Sequence, residues 1–439
     1  MNADWLGNPV TTDNPATLQG INDFGHGFLA YEEKALNILG AADADPDCAL
    51  ANAYAAMLFM FSENRQGPGL ATPYMEKAEA CAAGATDQEQ HVIAAIRAWV
   101  DNDIPKAIAL TEDIANQYPH ELAIIKAGQY HQFNLGNSPG MLRLINPVRE
   151  ANADNPYVHG MTAFALEQCH RLADAEAAAW KAVDLQRKEP WAHHALAHIM
   201  LTQGRIEEGM RFFGDVRETW TDLNSFMYTH NWWHDAVFQI ARGNNQAALK
   251  MYDEEIWGKI KDYSQDQIGA VSLLARLELV GVDVGDRWQD VADFMAVRVD
   301  DHVQPFLTMQ YVYGLARAGR DEADQLLASL GDFAPKAPTF QRQAWHDVAL
   351  PACMGLVAHA RGDWQSAVDY LRPLTGRWME IGGSHAQRDL FDLVYLDALI
   401  KSGGYVAAHN ILESRRGWDA DSVPNNQALK MVYGKLGLD

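Results

Sequence analysis

Apolar positions along this chain recur at helical spacing, in amphipathic stretches closed by short breaks. The breaks fall at Asn102, Gly136, Ala173, Gly204, Gly243, Gly281, Gly319, Gly362 and Gly403, between 31 and 43 residues apart. A period of that size is the signature of stacked helix-turn-helix units, each too small to bury its own apolar face. The clearest copy is marked by Pro156 and Pro190, 34 residues apart, which align Tyr157 with Trp191, His159 with His193 and Leu166 with Met200. That is the tetratricopeptide period. The stretch ADAEAAAWKAVDL, 173–185, reads as a second helix whose alanines let its neighbours approach while Trp180 and Val183 fill the gap. Period-2 runs of β-branched residues bounded by turns are absent. The pattern therefore predicts an all-α fold, a tetratricopeptide-like α-solenoid of degenerate helix-turn-helix repeats. The proline- and glycine-rich segment GDFAPKAPT, 331–339, divides it into an N-terminal array, 1–330, and C-terminal repeats, 340–439, expected to pack onto the same solenoid.

At 439 residues, 48% of them apolar, the chain has the material for a large interior. Its formal charge of -23 repels a nucleic-acid backbone or an anionic membrane at long range, so neither is expected as a partner. The acidic residues are otherwise a solvated surface. Four cysteines, Cys48, Cys81, Cys169 and Cys353, form no C-x-x-C pair, and buried or free thiols are expected. The opening residues carry no basic and apolar leader, and no later stretch approaches the roughly 20 apolar residues of a membrane span. A reduced, cytoplasmic setting is the expectation, with homo-oligomerisation left open.

Two histidine pairs stand out, His194 and His198 in WAHHALAHIM and His230 and His234 in HNWWH. Residues four apart share one helix face, so each pair aims two imidazoles in one direction. Ten of the sixteen histidines fall on segments read as first helices, the ones that line the concave face of such an array. A neutral histidine near pH 7 is a general base, and this acid–base role is preferred for the four. A divalent metal such as zinc is the alternative, because H-x-x-x-H suits one metal ion, although no H-E-x-x-H supplies a glutamate base. Trp232 and Trp233 project about 100° apart, so one of them is expected to face a ligand. Asp301 and His302 are further candidates for the lining.

A second constellation is GGSHAQRD, 382–389. Gly382 and Gly383 offer a left-handed backbone, Ser384 suits an N-cap, and His385, Gln387 and Arg388 occupy the first turns of the helix that follows. Its free N–H groups and Arg388 are suited to a carboxylate or phosphate. The ordinary alternative is a capped helix with Arg388 paired to a neighbour. No nucleotide-binding loop, dinucleotide fingerprint or nucleophile elbow occurs.

At WAHHALAHIMLTQGR, HNWWHDAVFQIARG, LVGVDVGDRWQDVADFMA and GGSHAQRD the chain resembles the tetratricopeptide repeat protein 38 family, in the same order and over most of its length. Asp301-His302 stands where that family has an Asn/Asp-rich, His-containing element, and the following DDHVQPF departs from its usual alanine. The resemblance implies the repeat fold and no settled reaction. Two functions follow from the residues. One is a His/Trp-lined pocket for a small polar or anionic ligand, with histidine acid–base or metal-assisted hydrolytic chemistry as its extension. The other is a peptide- or protein-binding scaffold without catalysis, whose usual ladder of lysine and arginine is replaced here by histidine.

Overall fold

The computed structural model describes residues 2–438; they form helices joined by turns and loops, with one antiparallel strand pair, Asn2–Ala3 with Pro9–Val10, and an isolated bridge between Glu32 and Leu223. The all-α, helix-turn-helix repeat fold expected from the apolar pattern is what forms. The chain divides into two compact units, one made of the residues up to Ala195 together with Glu218–Met227, the other of Leu196–Arg217 and the residues from Tyr228 onward. The segment 331–339 lies inside the second unit, where Ala334 and Ala337 are buried.

One backbone device closes most of the hairpins. Each first helix ends in a residue with positive φ: Asn102 (58°), Gly136 (68°), His170 (56°), Gly204 (68°), and likewise the glycines at 243, 281, 319, 362 and 403. The next backbone N–H then returns to the carbonyl five residues before it, as from Asp103 to Ala98 (2.8 Å), Arg171 to Leu166 (2.9 Å) and Arg205 to Met200 (2.8 Å). This satisfies carbonyls that the helix end would otherwise orphan, and turns the chain back along itself. The first four of these positions are spaced by 34 residues throughout.

The break expected at Ala173 therefore falls at His170, because the left-handed position is filled there by a residue that has a Cβ. Glycine fits that backbone without steric penalty. His170→Gly is expected to raise the stability of the first unit by roughly 1 kcal/mol, read as a higher urea midpoint at unchanged slope. An unchanged midpoint would show that the imidazole compensates for its strained backbone.

The 34-residue alignment also holds at atomic detail. His159 Nε2 bonds the carbonyl of Ala153 (2.7 Å) and His193 Nε2 that of Arg187 (2.8 Å), each six residues back. Trp180 departs from expectation: it is 37% exposed, and the fully buried residues of Leu172–Leu185 are Ala175, Ala179 and Ala182. Alanines bring the neighbouring helix too close to leave space for an indole.

The first core gathers residues such as Ile21, Phe24, Met57, Ile96 and Trp99. In the second unit the core runs from Trp233 and Leu273 through Val312 and Trp345 to Phe391.

Candidate functional site

The two histidine pairs lie on helices Pro190–Thr202 and Ser225–Ala241. His194 is among the last residues of the first unit, where its ring stacks on Trp191 (4.4 Å between centroids) and leans on Phe164 (5.1 Å). His198, His230 and His234 belong to the second unit and are buried. One ring nitrogen from each lies within 4.8 Å of the others. The ring centroids of His198 and His234 are 4.6 Å apart, and those of His230 and His234 4.9 Å. His385 joins them from the start of helix His385–Lys401, its Nε2 3.4 Å from Nδ1 of His198. The spacing of four residues had predicted one-sided pairs, and within the second unit the fold brings His198 to both members of the second pair.

Burial sets the protonation of this centre. It pushes His230 down to about 3 and His234 well below its ordinary value, and His198, His230, His385 and Arg276 add to the effect at His234. Both imidazoles are therefore neutral at pH 7, each with a ring nitrogen lone pair.

Beside the histidines is a cavity of about 10 Å³, lined among others by His230, Trp233, Ser272, Phe306, Gln310 and Gln387. It has room for about one water. The Trp233 indole nitrogen, the Ser272 hydroxyl and the Gln310 amide oxygen are buried without a hydrogen-bond partner among the described residues. An unpaired buried polar atom costs about 1–3 kcal/mol, so three lining one cavity call for a polar occupant. Two of the three share a repeat register with a histidine of the centre. His234, Ser272 and Gln310 are 38 residues apart in succession, each nine residues ahead of the turn glycine of its hairpin, Gly243, Gly281 or Gly319. Trp233 stands one residue off that register. Sequence reasoning missed Ser272 and Gln310; the signal was a buried-register polar residue nine positions ahead of each turn glycine.

Helix His385–Lys401 begins as the GGSHAQRD motif suggests. Gly382 and Gly383 have φ of 80° and 74°. The Ser384 hydroxyl accepts from the Gln387 backbone N–H (3.3 Å), and the Gln387 side chain accepts from the Ser384 N–H (3.0 Å), a closed capping box. Arg388 turns back to donate to the Gly383 carbonyl. Arg276, unremarked in the sequence, is buried in mid-helix and clamps this motif in place. It donates to Asp389 (3.2 Å) and to the Ala386 carbonyl (2.7 Å), and lies 5.5 Å from the centre of the Trp233 ring. Arg415 holds the other side of Asp389 (2.6 Å). Against the upward pull of burial, the two guanidiniums keep that carboxyl well below the usual carboxylate range.

Trp233 is 1% exposed and lies parallel to His230, 5.4 Å between centroids, so it is the tryptophan of the site. Trp232 is half-buried on another face, with the Arg217 guanidinium 5.5 Å from its ring centre. Asp301 and His302 enter a second network. Asp301 pairs with Arg298 (2.9 Å), while His302 bonds the Ser329 hydroxyl (2.8 Å) and stacks on Phe333 (4.8 Å). All four cysteines are free, with Cys48 and Cys353 buried and their thiols pushed up by burial, Cys48 to about 11. Such thiols are inert.

No protein-family model matches the sequence. Among solved structures the chain is similar to one in "Structure of Naa15/Naa10 bound to HypK-THB", at 10% identity and a TM-score of 0.26, covering 96% of this chain and 67% of that one. Among the described residues, no helix is long and apolar enough to cross a membrane.

Proposed function

We propose that the second unit holds a three-histidine centre for a divalent metal ion such as zinc, beside a cavity of about one water's size, and that the metal would supply hydrolytic chemistry there. The observation that carries this reading is the convergence of His198, His230 and His234, one ring nitrogen of each within 4.8 Å of the others. Catalytic zinc takes three protein ligands and leaves its fourth position to water. Neutral imidazoles are the form that ligates, and burial keeps His230 and His234 in it. A metal so held supplies a water acidic enough to ionise near pH 7.

The rest of the site has work to do around that water. The Ser272 hydroxyl and the Gln310 amide oxygen would accept hydrogen bonds from a water in the cavity, and the Trp233 indole N–H would donate one to its oxygen. His385 fixes the ring of His198 from behind, the role a second layer of hydrogen bonds plays around metal ligands. Arg276, Asp389 and Arg415 lock the helix that carries His385. Gln387 also lines the cavity wall.

Metal analysis of protein purified without a histidine tag tests the reading. About one equivalent of zinc or another divalent transition metal is expected after incubation and desalting. Less than about a tenth of an equivalent would end it.

The second reading, a peptide-binding scaffold, is supported by a different region. In the first unit, half-buried Phe28, Phe61 and Tyr130 form a run of touching rings, with centroids 5.0 and 4.9 Å apart. Aromatic rings along the first helices of a repeat array suit the side chains of an extended peptide.

A further inference from the structure

The first unit contains a second site, independent of the histidine centre. We infer that its cleft of about 470 Å³ binds an organic cation, a quaternary ammonium or a guanidinium group, on the exposed faces of Trp5 and His26, which the buried Tyr157 backs. These rings meet at steep angles at the cleft wall. Trp5 and Tyr157 are edge-to-face at 82° (6.3 Å), His26 and Tyr157 at 80° (5.7 Å), and Trp5 tilts 56° to His26 (5.2 Å). The carboxylates of Glu150 and Asp154 also line the cleft, and no lysine or arginine is among its lining residues. A cation gains from ring faces and from carboxylates alike, whereas an anion gains from neither.

The placement of Trp5 is built, not incidental. In a chain otherwise made of helices, the strand pair Asn2–Ala3 and Pro9–Val10 carries Trp5 in its connecting loop. The Asp4 carboxylate ties that loop, accepting from the N–H groups of Leu6 (2.9 Å) and Asn8 (2.8 Å) and from the Asn8 side chain (2.9 Å). Asn8 in turn donates to the His120 carbonyl (3.0 Å), and the Trp5 N–H to Asn22 (2.9 Å). Under the indole is Gly25, where a Cβ would stand only 3.0 Å from the ring nitrogen. Trp5 nonetheless stays 37% exposed.

The other two rings are equally fixed. Gln186 donates its amide to the Tyr157 hydroxyl (3.0 Å), which lies 3.3 Å from His26 Nε2. His26 Nδ1 is 3.6 Å from a Glu32 oxygen, and Lys34 (2.8 Å) and Lys188 (2.7 Å) hold that carboxylate. A preorganised aromatic wall needs no reordering when a cation arrives.

Calorimetric titration of the full-length protein with choline and, separately, with argininamide tests the inference, the two probes distinguishing the ammonium from the guanidinium form. Saturable one-site binding of at least one is expected, weakened about fivefold or more by Trp5→Ala and less by Trp5→Phe. Asp154→Asn, at an exposed position that leaves the fold intact, should weaken it about twofold or more. The inference fails if neither cation saturates by roughly 10 mM. It fails equally if Trp5→Ala binds as the parent does, or if inorganic phosphate binds in the cations' place.

Discussion

His234→Ala is expected to leave a protein that retains almost no transition metal, with affinity reduced more than about a hundredfold. The physical reason is coordination number: with His198 and His230 remaining, two ligands hold what three held, and water must fill the gap. The neighbouring substitution His385→Gln separates ligation from packing. His385 touches His198, not the metal, so its replacement should loosen binding by only about 10–100-fold, with full occupancy recovered at high metal concentration. Both are read by competition against a chromophoric chelator, with circular dichroism confirming helicity. Should His234→Ala hold as much metal as the parent, the three-histidine centre is not the site.

The second large effect concerns acid. His230 and His234 are neutral in the folded unit, whereas in the unfolded chain each takes a proton below about 6.5. Between the folded and unfolded values the unfolded state therefore binds more protons, and stability falls as pH falls. The contribution is fully present above about 6.5 and declines by about 1.4 kcal/mol per pH unit for each histidine. Asp392, which burial raises to about 6, and Asp235, also raised, oppose this at lower pH by taking up protons in the folded state. The clean comparison is thus between proteins. A His230→Gln, His234→Gln double variant should lose about 2 kcal/mol of the parent's acid sensitivity between pH 6.5 and 5.5, measured by urea unfolding. Parallel pH dependences in the two proteins would mean that the histidines are charged in the fold. Saturating zinc should raise the parent's stability by about the same amount across this range, because the folded histidines carry no proton for it to displace, and should leave the variant's unaltered.

Much of the architecture was legible along the chain because it is local. A first helix of about a dozen residues, a left-handed cap and an alanine-rich return need only neighbouring residues, and glycine at 136, 204, 243, 281 and 319 marks the caps in plain view. His170 hid one such cap because nothing in a histidine announces positive φ. The pairing of His230 with His234, and of His194 with His198, was likewise a matter of helical spacing. That Ser384 and Gln387 close a capping box was readable from four residues.

Partnership across repeats was not. Sequence spacing does not say which distant residues a histidine meets, and within the second unit His198 meets His230, His234 and His385. Which of two adjacent tryptophans faces the histidines depends on how one helix is rotated against the next, and so on the packing of residues far away in the chain. The same holds for Arg276, whose buried charge is tolerated only because Asp389, 113 residues on, arrives beside it. By itself the sequence determined the helices, their caps and the repeat period, since these follow from backbone sterics and short-range hydrogen bonds. The tertiary structure alone decided which imidazoles share a centre, that a cavity with three unsatisfied polar atoms adjoins it, and that Trp5 closes a cleft elsewhere, because each depends on long-range burial that no local pattern encodes.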